Sequence, residues 1–158
     1  MIAIPSEIKL ESFVILQSHF KFKPFKQLKQ NINIKELQKV FRSYEMDIDF
    51  TYKVIKDNII QVFTKIGINQ EENATGYKLF VEGAAIYNLE DSDKLSEKTK
   101  QNLKYYSTVN ILIGYLRNTL MEMTSSAPLG PYILPPVNLI DLFKKKELEN
   151  EPKKPSTK

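Results

Sequence analysis

The spacing of hydrophobic residues changes once along this chain of 158 residues, and that change limits the possible folds more than any other feature. Up to Tyr87, apolar side chains recur at every second position, which is typical of half-buried β-strands. From Val109 onward they recur every three or four positions, which is typical of an amphipathic helix. Strands followed by helices predict an α+β fold, in which the helices pack on one face of a four-stranded antiparallel sheet.

Four segments show the alternation of strands, over residues 14–23, 46–54, 60–68 and 77–87. Short connections join the last three, and the first connection, Lys56-Asp57-Asn58, contains residues that accept the backbone of a tight turn. These three segments are predicted to form an antiparallel meander. The first segment, with Val14 and Phe20 on one face, precedes a basic stretch over residues 24–43. The length of that crossover permits a Greek-key return, with a short helix expected over residues 35–41.

The fourth strand segment carries apolar residues on both of its faces. Leu79 and Val81 lie on one face, while Phe80 and Ile86 lie on the other. A strand that is covered on both sides is either central in its sheet or part of a contact between subunits. We therefore expect Leu79, Val81 and Ile86 to contribute to an oligomer interface.

One long helix is predicted from a single apolar stripe. Ser107 is expected to cap its N-terminus through the side-chain hydroxyl, and Ser125, Ser126 and Pro128 are expected to end it. The residues of the stripe are Val109, Leu112, Ile113, Leu116, Leu120 and Met123.

A second, shorter helix is predicted after a proline-rich loop. Asn138 precedes Asp141 by three residues, a spacing that favours a capped helix from Leu139 to about Lys146. The charged residues that follow, 148–158, are expected to form a disordered basic tail. Residues 1–147 are therefore expected to form a single domain.

The composition excludes several classes of function. The chain has no cysteine and one histidine, His19, which excludes thiolate metal sites, disulfides and thiol nucleophiles. It also contains no glycine-rich phosphate-binding motif, so neither an enzyme nor a cofactor is expected. The N-terminus lacks the pattern of a signal peptide, and the apolar stretch 109–123 is too short and too polar to span a bilayer. A soluble, cytoplasmic protein without membrane insertion is expected.

Basic residues are concentrated in two segments. Residues 21–42 contain seven lysines or arginines and one acid, and residues 144–158 contain six basic and three acidic residues. Such segments are either solvated surface or a site for an anionic partner. A nucleic-acid-binding module that combines phosphate contacts with stacking on phenylalanines is therefore one alternative function. The phenylalanines of this region are Phe20, Phe22, Phe25 and Phe41.

The last third of the chain resembles a known family. The matching pieces are Asn110-Ile111-Leu112, Tyr115, Arg117, Leu134, Pro136-Val137-Asn138 and Leu142-Phe143. Their spacing is similar to that in SecB, the bacterial protein-export chaperone, and needs no gap. The run Glu45-Met46-Asp47-Ile48-Asp49-Phe50 resembles the second strand of the same family, and the resemblance extends over about residues 10–147.

The resemblance implies an ATP-independent holding chaperone, without catalysis, that binds unfolded or precursor polypeptides in an apolar groove for protein export. It also implies a homotetramer built as a dimer of dimers. A SecB-like chaperone dedicated to a toxin–antitoxin system, with an antitoxin as its partner, is the alternative within the family. The implied groove residues are Met46, Ile48, Phe50, Tyr115, Met121, Leu139 and Phe143.

The sequence departs from the family at the surface that docks the export motor SecA. Typical members present acidic residues there, whereas the corresponding positions here hold His19, Lys23, Lys78 and Phe80. Like charges that face each other across an interface cost affinity. We therefore expect weak or no binding to a conventional basic SecA tail, and we predict that Lys23, Lys78 and Phe80 dock a partner with an acidic surface.

Overall fold

A computed structural model describes residues 2–25, 33–90 and 92–150 of the chain. Its sheet has four antiparallel strands in the order β1–β4–β3–β2, which confirms both the meander and the Greek-key return. The strands are β1 (Ile8–Lys23), β2 (Met46–Lys56), β3 (Ile59–Ile68) and β4 (Gly76–Leu89).

The alternation along β1 is interrupted by two register shifts, between Leu10 and Ser12 and between Ile15 and Gln17. Each shift is a bulge that moves the following side chains to the other face of the strand. Phe13 and Phe20 therefore lie on the same, helix-side face, opposite Ala85 and Leu79, whereas Val14 points the other way. The expectation that Val14 and Phe20 lie on one face is wrong, because strict alternation takes no account of bulges.

The helices lie mainly in the C-terminal part of the chain. They are α1 (Ile34–Arg42), α2 (Glu97–Gln101), α3 (Thr108–Thr124) and α4 (Leu139–Asn150), with a 3₁₀ turn at Ser92–Lys94 and a π-helical segment at Asn102–Ser107 that joins α2 to α3. Helix α1 is the short helix predicted in the crossover, and its presence confirms that prediction. Asn33 and Glu36 form a capping box at its start. None of the described helices is long and apolar enough to cross a membrane.

Two predicted helix boundaries are wrong. Ser107 makes no capping hydrogen bond, because it lies inside a continuous helical stretch that begins at Glu97. Ser96 caps that stretch instead, and its hydroxyl accepts a hydrogen bond from the backbone N–H of Thr99 at 3.2 Å. At the other end, α4 continues to Asn150, so the predicted tail boundary at residue 148 falls within the helix. Residues 151–158 lie outside the described part of the chain.

The crossover is anchored by aromatic packing at the start of β4. Phe41 at the end of α1 packs on Tyr77 and Tyr132, with ring centroids 5.6 and 5.3 Å apart. The Tyr44 hydroxyl accepts a hydrogen bond from the Tyr77 N–H at 2.9 Å. The preceding Gly76 has a φ of +90°, and an added Cβ would lie only 2.0 Å from that hydroxyl, so glycine is required here.

The core lies between one face of the sheet and α3. Leu112, Leu116 and Leu120 are fully buried, as are Leu79 and Val81 on β4. Leu79 and Val81 therefore cannot reach another subunit without opening the core. This corrects their assignment to an oligomer interface, whereas Ile86 points to the opposite face of the sheet.

Helix α3 approaches the sheet closely at Gly83 of β4. A Cβ at this position would lie 2.8 Å from Leu116 Cδ2 and 3.2 Å from the carbonyl oxygen of Val14. The second neighbour is backbone and cannot move aside as a side chain can. Gly83 thus lets the helix and β1 approach β4 at the same point.

Gly83→Val is expected to lower the free energy of unfolding by about 1–3 kcal/mol, because the added methyl groups overpack this contact. Gly114→Ala in α3 is the control, since nothing lies within 4 Å of the Cβ it would add. It is expected to raise the free energy by about 1 kcal/mol, the usual gain when alanine replaces a helical glycine. Urea unfolding of both variants measures the difference. An unchanged or higher stability for Gly83→Val would contradict the packing account.

An ion pair that crosses to β2 adds to the apolar packing that holds α4 in place. Lys146 Nζ lies 2.5 Å from Asp49 Oδ1, and Lys65 Nζ lies 3.3 Å from Asp49 Oδ2. Burial by itself would raise the pKa of Asp49, but the hydrogen bonds from Lys146 and Lys65 outweigh it and hold the pKa below its ordinary value of 3.8. The folded state therefore favours the ionised carboxylate.

Asp49→Asn is expected to speed hydrogen–deuterium exchange of the α4 amides near neutral pH, while the amides of β3 and β4 stay protected. Because the folded pKa is lowered, the ion pair stabilises the fold above pH 3.8 and is lost as the pH falls through the folded value. The difference from wild type should therefore disappear in acid. Asp47→Asn is the control, as Asp47 lines the same region without an ion pair among the described residues. Equal effects of the two variants on exchange of the α4 amides would show that the Asp49–Lys146 ion pair does not hold α4 in place.

Candidate functional site

Strand β2 forms one edge of the sheet, since β3 is its sole strand partner among the described residues. Its helix-side face carries Ile48, Phe50, Tyr52 and Val54 in alternation. The cover over this face ends along the strand: Phe50 is 3% exposed, whereas Tyr52 and Val54 are 43% and 47% exposed. The helix-side face of β2 is therefore apolar along its length, but it is buried at Phe50 and exposed at Tyr52 and Val54.

A cleft of 560 Å³ lies between the first half of β2 and α4. Its volume is within the range of small-molecule and cofactor sites. The apolar walls consist of Met46, Ile48, Phe50, Val137 and Leu142, and the polar rim consists of Asp47, Asp49, Lys65, Asn138, Asp141, Lys145, Lys146 and Glu149. We call this feature the β2–α4 cleft. Its rim carries both signs of charge, so it does not select strongly for one sign.

A chain of five aromatic rings continues from the cleft toward solvent. Tyr105, Tyr52, Phe50, Phe143 and Tyr106 contact one another in that order, and we call them the aromatic row. The successive ring centroids are 4.7, 6.1, 4.5 and 4.2 Å apart. Phe50 also lines the cleft, so the two features form one continuous surface.

The exposed members of the row are Tyr52 and Tyr106, at 43% and 40%. Tyr106 lies in the π-helical segment, as does Tyr105. The two neighbours reach different elements: Tyr105 contacts Tyr52 on β2, and Tyr106 contacts Phe143 on α4. π-Helical turns are rare in proteins, and those that occur are often found at functional sites. The position of this one beside the cleft fits that tendency.

Tyr52 of the aromatic row is uncharged near neutral pH. Burial raises the pKa of the Tyr52 hydroxyl, and the neighbouring Tyr105, Tyr106 and Glu147 raise it further. The Tyr52 phenol therefore keeps its proton and offers a ring face and a neutral hydroxyl group. Within the described residues no group of histidine or acidic side chains could hold a metal ion.

The structure divides the predicted groove residues into two groups. Met46, Ile48, Phe50 and Phe143 lie at the cleft or in the row, and Leu139 packs against the core at the start of α4. Tyr115 and Met121 are elsewhere, on α3. Tyr115 stacks on Phe13 of β1 at 4.9 Å, beside the strand at the opposite edge of the sheet.

Sequence reasoning missed three residues of the surface: Tyr52, Tyr105 and Tyr106. The alternation of the second strand predicts the face on which Tyr52 lies, but Tyr52 was not assigned to the groove. The adjacent pair Tyr105-Tyr106 was not assigned, because the helix was expected to begin only after Ser107. A pair of neighbouring tyrosines just before a long apolar helix was the available signal.

The predicted docking residues lie on the other side of the sheet. Here the side chains point away from the helices, and we call this side the open face; it includes Lys78, Phe80 and Ile86 of β4. Lys23 of β1 also belongs to it, but its ammonium donates a hydrogen bond to the carbonyl oxygen of Asn73 at 3.2 Å. These open-face residues of β1 and β4 lie outside the β2–α4 cleft, which reaches the open face through Asp47, Asp49 and Lys65 at the β2 edge.

Comparison with solved structures identifies two similar chains. The Mycobacterium tuberculosis SecB-like chaperone Rv1957, in complex with a ChAD peptide from the Rv1956 HigA1 antitoxin, has a TM-score of 0.53 at 12% identity, over 83% of this chain and 88% of that one. A Streptococcus agalactiae protein of unknown function has a TM-score of 0.49 at 8% identity, over 85% and 100%. The first likeness shows a shared α+β fold. No curated protein matches the chain.

A family model gives the broader match. The model described as preprotein translocase subunit SecB matches residues 17–150, which include the cleft, the aromatic row and most of the open face. The match confirms the resemblance found in the sequence, which covered about residues 10–147. The protein belongs to the SecB family.

Proposed function

We propose that this protein is an ATP-independent holding chaperone that binds non-native polypeptide along the β2–α4 cleft and the aromatic row. Membership of the SecB family supports a chaperone role. The observation that carries the proposal is the aromatic row, in which contacting rings extend from the buried Phe50 to the exposed Tyr52 and Tyr106. Contiguous apolar surface left open to water is typical of an interaction site.

The surface suits an extended client segment with apolar and aromatic side chains. Contact between two aromatic rings contributes about 0.5–1.5 kcal/mol beyond the burial of their area. The outer edge of β2 has no strand partner among the described residues and is open to main-chain pairing with an extended client, except that the Phe50 N–H already donates to Asp49 Oδ1 at 2.8 Å. Main-chain pairing does not depend on side-chain identity, which fits a chaperone with many clients. Capture and release need no covalent step and no cofactor.

A single cleft would bind an unfolded chain weakly, because ordering the client costs several kcal/mol. Several clefts on one particle compensate when one long client uses them together. We therefore include in the proposal a homotetramer built as a dimer of dimers, located in the cytoplasm. The half-buried Ile86 and Phe63 on the open face support a subunit contact on that side of the sheet.

Service in protein export and service in a toxin–antitoxin system both fit this surface. The antitoxin alternative is supported by one observation, since the M. tuberculosis neighbour was solved with a peptide from an antitoxin. The nucleic-acid alternative loses support. Phe20, Phe22 and Phe41 each pack on Tyr77, with ring centroids 5.3–5.9 Å apart, so these rings do not form a free stacking platform.

Tyr52→Asp and Tyr106→Asp are expected to weaken binding of reduced, carboxymethylated α-lactalbumin, a permanently unfolded client, by about tenfold each. Each change removes the burial of an apolar ring, worth about 1.5–3 kcal/mol when complete, and puts a charge in its place. Both side chains are partly exposed, so the fold should survive, as circular dichroism can check. Isothermal titration calorimetry measures the affinity.

Ile133→Asp is the matched control, because Ile133 is a 61% exposed apolar residue that belongs to neither the cleft nor the row. It should bind the client as the wild type does. Wild-type affinity in the folded Tyr52→Asp and Tyr106→Asp variants would show that the row does not bind clients.

A further inference from the structure

The π-helical segment Asn102–Ser107 changes the phase of the helix just before α3. In an uninterrupted α-helix, Tyr105 would lie four residues before Val109 and seven before Leu112, on the buried stripe that packs against the sheet. A π-helical turn pairs residue i with residue i+5, so it contains more residues than an α-helical turn. The residues within and before it are therefore rotated, by up to about 100°, relative to α3. Tyr105 leaves the stripe and contacts Tyr52 on β2, with ring centroids 4.7 Å apart.

A buried threonine lies where the π-helical segment meets α3. Thr108 is the first residue of α3, and its side chain is fully buried. Its hydroxyl donates to the carbonyl oxygen of Lys104 at 2.8 Å and to that of Tyr105 at 3.1 Å. An extra residue in a helical turn leaves a carbonyl without an N–H donor in line, and a buried carbonyl needs a donor. The Thr108 hydroxyl supplies a donor to two carbonyls of the wide turn.

The same segment is held from its outer side by Lys104. The Lys104 ammonium donates a hydrogen bond to the carbonyl oxygen of Asp57, in the turn between β2 and β3, at 3.0 Å. It also lies 5.9 Å from the centre of the Tyr105 ring. The segment is therefore fixed between the buried Thr108 hydroxyl and the end of β2, and the two tyrosines lie between these contacts and the cleft.

We propose that Thr108 is a positioning residue for the client surface, because its hydroxyl stabilises the π-helical segment that places Tyr105 against β2 and Tyr106 against α4. The inference rests on the proposed function, since both tyrosines belong to the aromatic row. Thr108 itself lines neither the cleft nor the row, so it acts without touching a client. Without the hydroxyl, the segment returns to α-helical pairing, and both rings rotate away from their partners in the row.

Threonine also bonds to the carbonyl four residues back in ordinary α-helices. Thr119 is such a case, since its hydroxyl donates to the carbonyl oxygen of Tyr115 at 3.2 Å within α3. Thr108 differs in its complete burial and in its place at the junction of the two helix types. Thr119→Val is therefore the matched control, because it removes the same kind of bond from the same helix outside the π-helical segment.

The first measurement is fluorine NMR of the full chain labelled with 3-fluorotyrosine, without client, with signals assigned through single Tyr→Phe variants. Thr108→Val keeps the branched shape and removes the hydroxyl, so it should shift the signals of Tyr52, Tyr105 and Tyr106. Thr108→Ser keeps the hydroxyl and removes the methyl group, so these three signals should stay at their wild-type positions. They should also stay in Thr119→Val. Circular dichroism checks that each variant is folded.

The second measurement is the affinity of the same variants for reduced, carboxymethylated α-lactalbumin, by calorimetry. Thr108→Val should bind this client about fivefold more weakly, because two rings leave the contacting surface. Thr108→Ser and Thr119→Val should bind it as the wild type does. Thr108→Ala, compared with Thr108→Ser, repeats the test without the methyl groups of valine and applies if Thr108→Val does not fold.

Three results would overturn the inference. Unmoved fluorine signals in Thr108→Val would show that the hydroxyl does not place the tyrosines. Equal shifts in Thr108→Ser would assign the effect to the methyl group. Wild-type client affinity in a Thr108→Val variant whose signals have moved would show that the π-helical segment does not serve client binding. Since the fluorine signals are recorded without client, they separate this test from that of the proposed function, which Tyr52→Asp and Tyr106→Asp provide.

Discussion

The contact between α3 and β4 at Gly83 sets how closely the long helix lies on the sheet. Because glycine leaves room there, Leu116 approaches the sheet closely enough for the apolar stripe of α3 to cover β3 and β4. The π-helical segment and α2 continue directly from the N-terminus of α3. The place of α3 therefore decides where Tyr105 and Tyr106 meet β2 and α4. The close approach at Gly83, near the centre of the sheet, thus helps to position the aromatic row at the edge of the sheet.

The sheet separates two surfaces of different chemistry. On the helix side, the core opens at β2 into apolar and aromatic surface bordered by charges of both signs. On the open face, positive charge is held at one corner by the pairing of β1 with β4. The proposed binding of unfolded chains uses the first surface.

The sequence predicted the fold well because local periodicity and the order of elements carry most of the information about an α+β sheet. It failed where the outcome depends on distant parts of the chain. The helical stretch before Ser107 lacks an apolar stripe, so its start was placed too late. The bulges of β1 moved Val14 to the open face, and α3 covered Leu79 and Val81. The ion pair between Asp49 and Lys146 joins residues 97 positions apart, which no local pattern reveals.

Site-specific photo-crosslinking tests the central claim that the helix-side edge of β2 receives unfolded polypeptide. Benzoylphenylalanine would replace Tyr52, which belongs to the aromatic row, or its neighbour Lys53, which points to the open face. The two positions are adjacent on one strand, both are exposed, and both carry the same reagent. The face of the sheet is therefore the difference between them. The account predicts crosslinks to reduced, carboxymethylated α-lactalbumin from position 52 and few or none from position 53. Equal crosslinking at both positions, or crosslinking from position 53 alone, would contradict it.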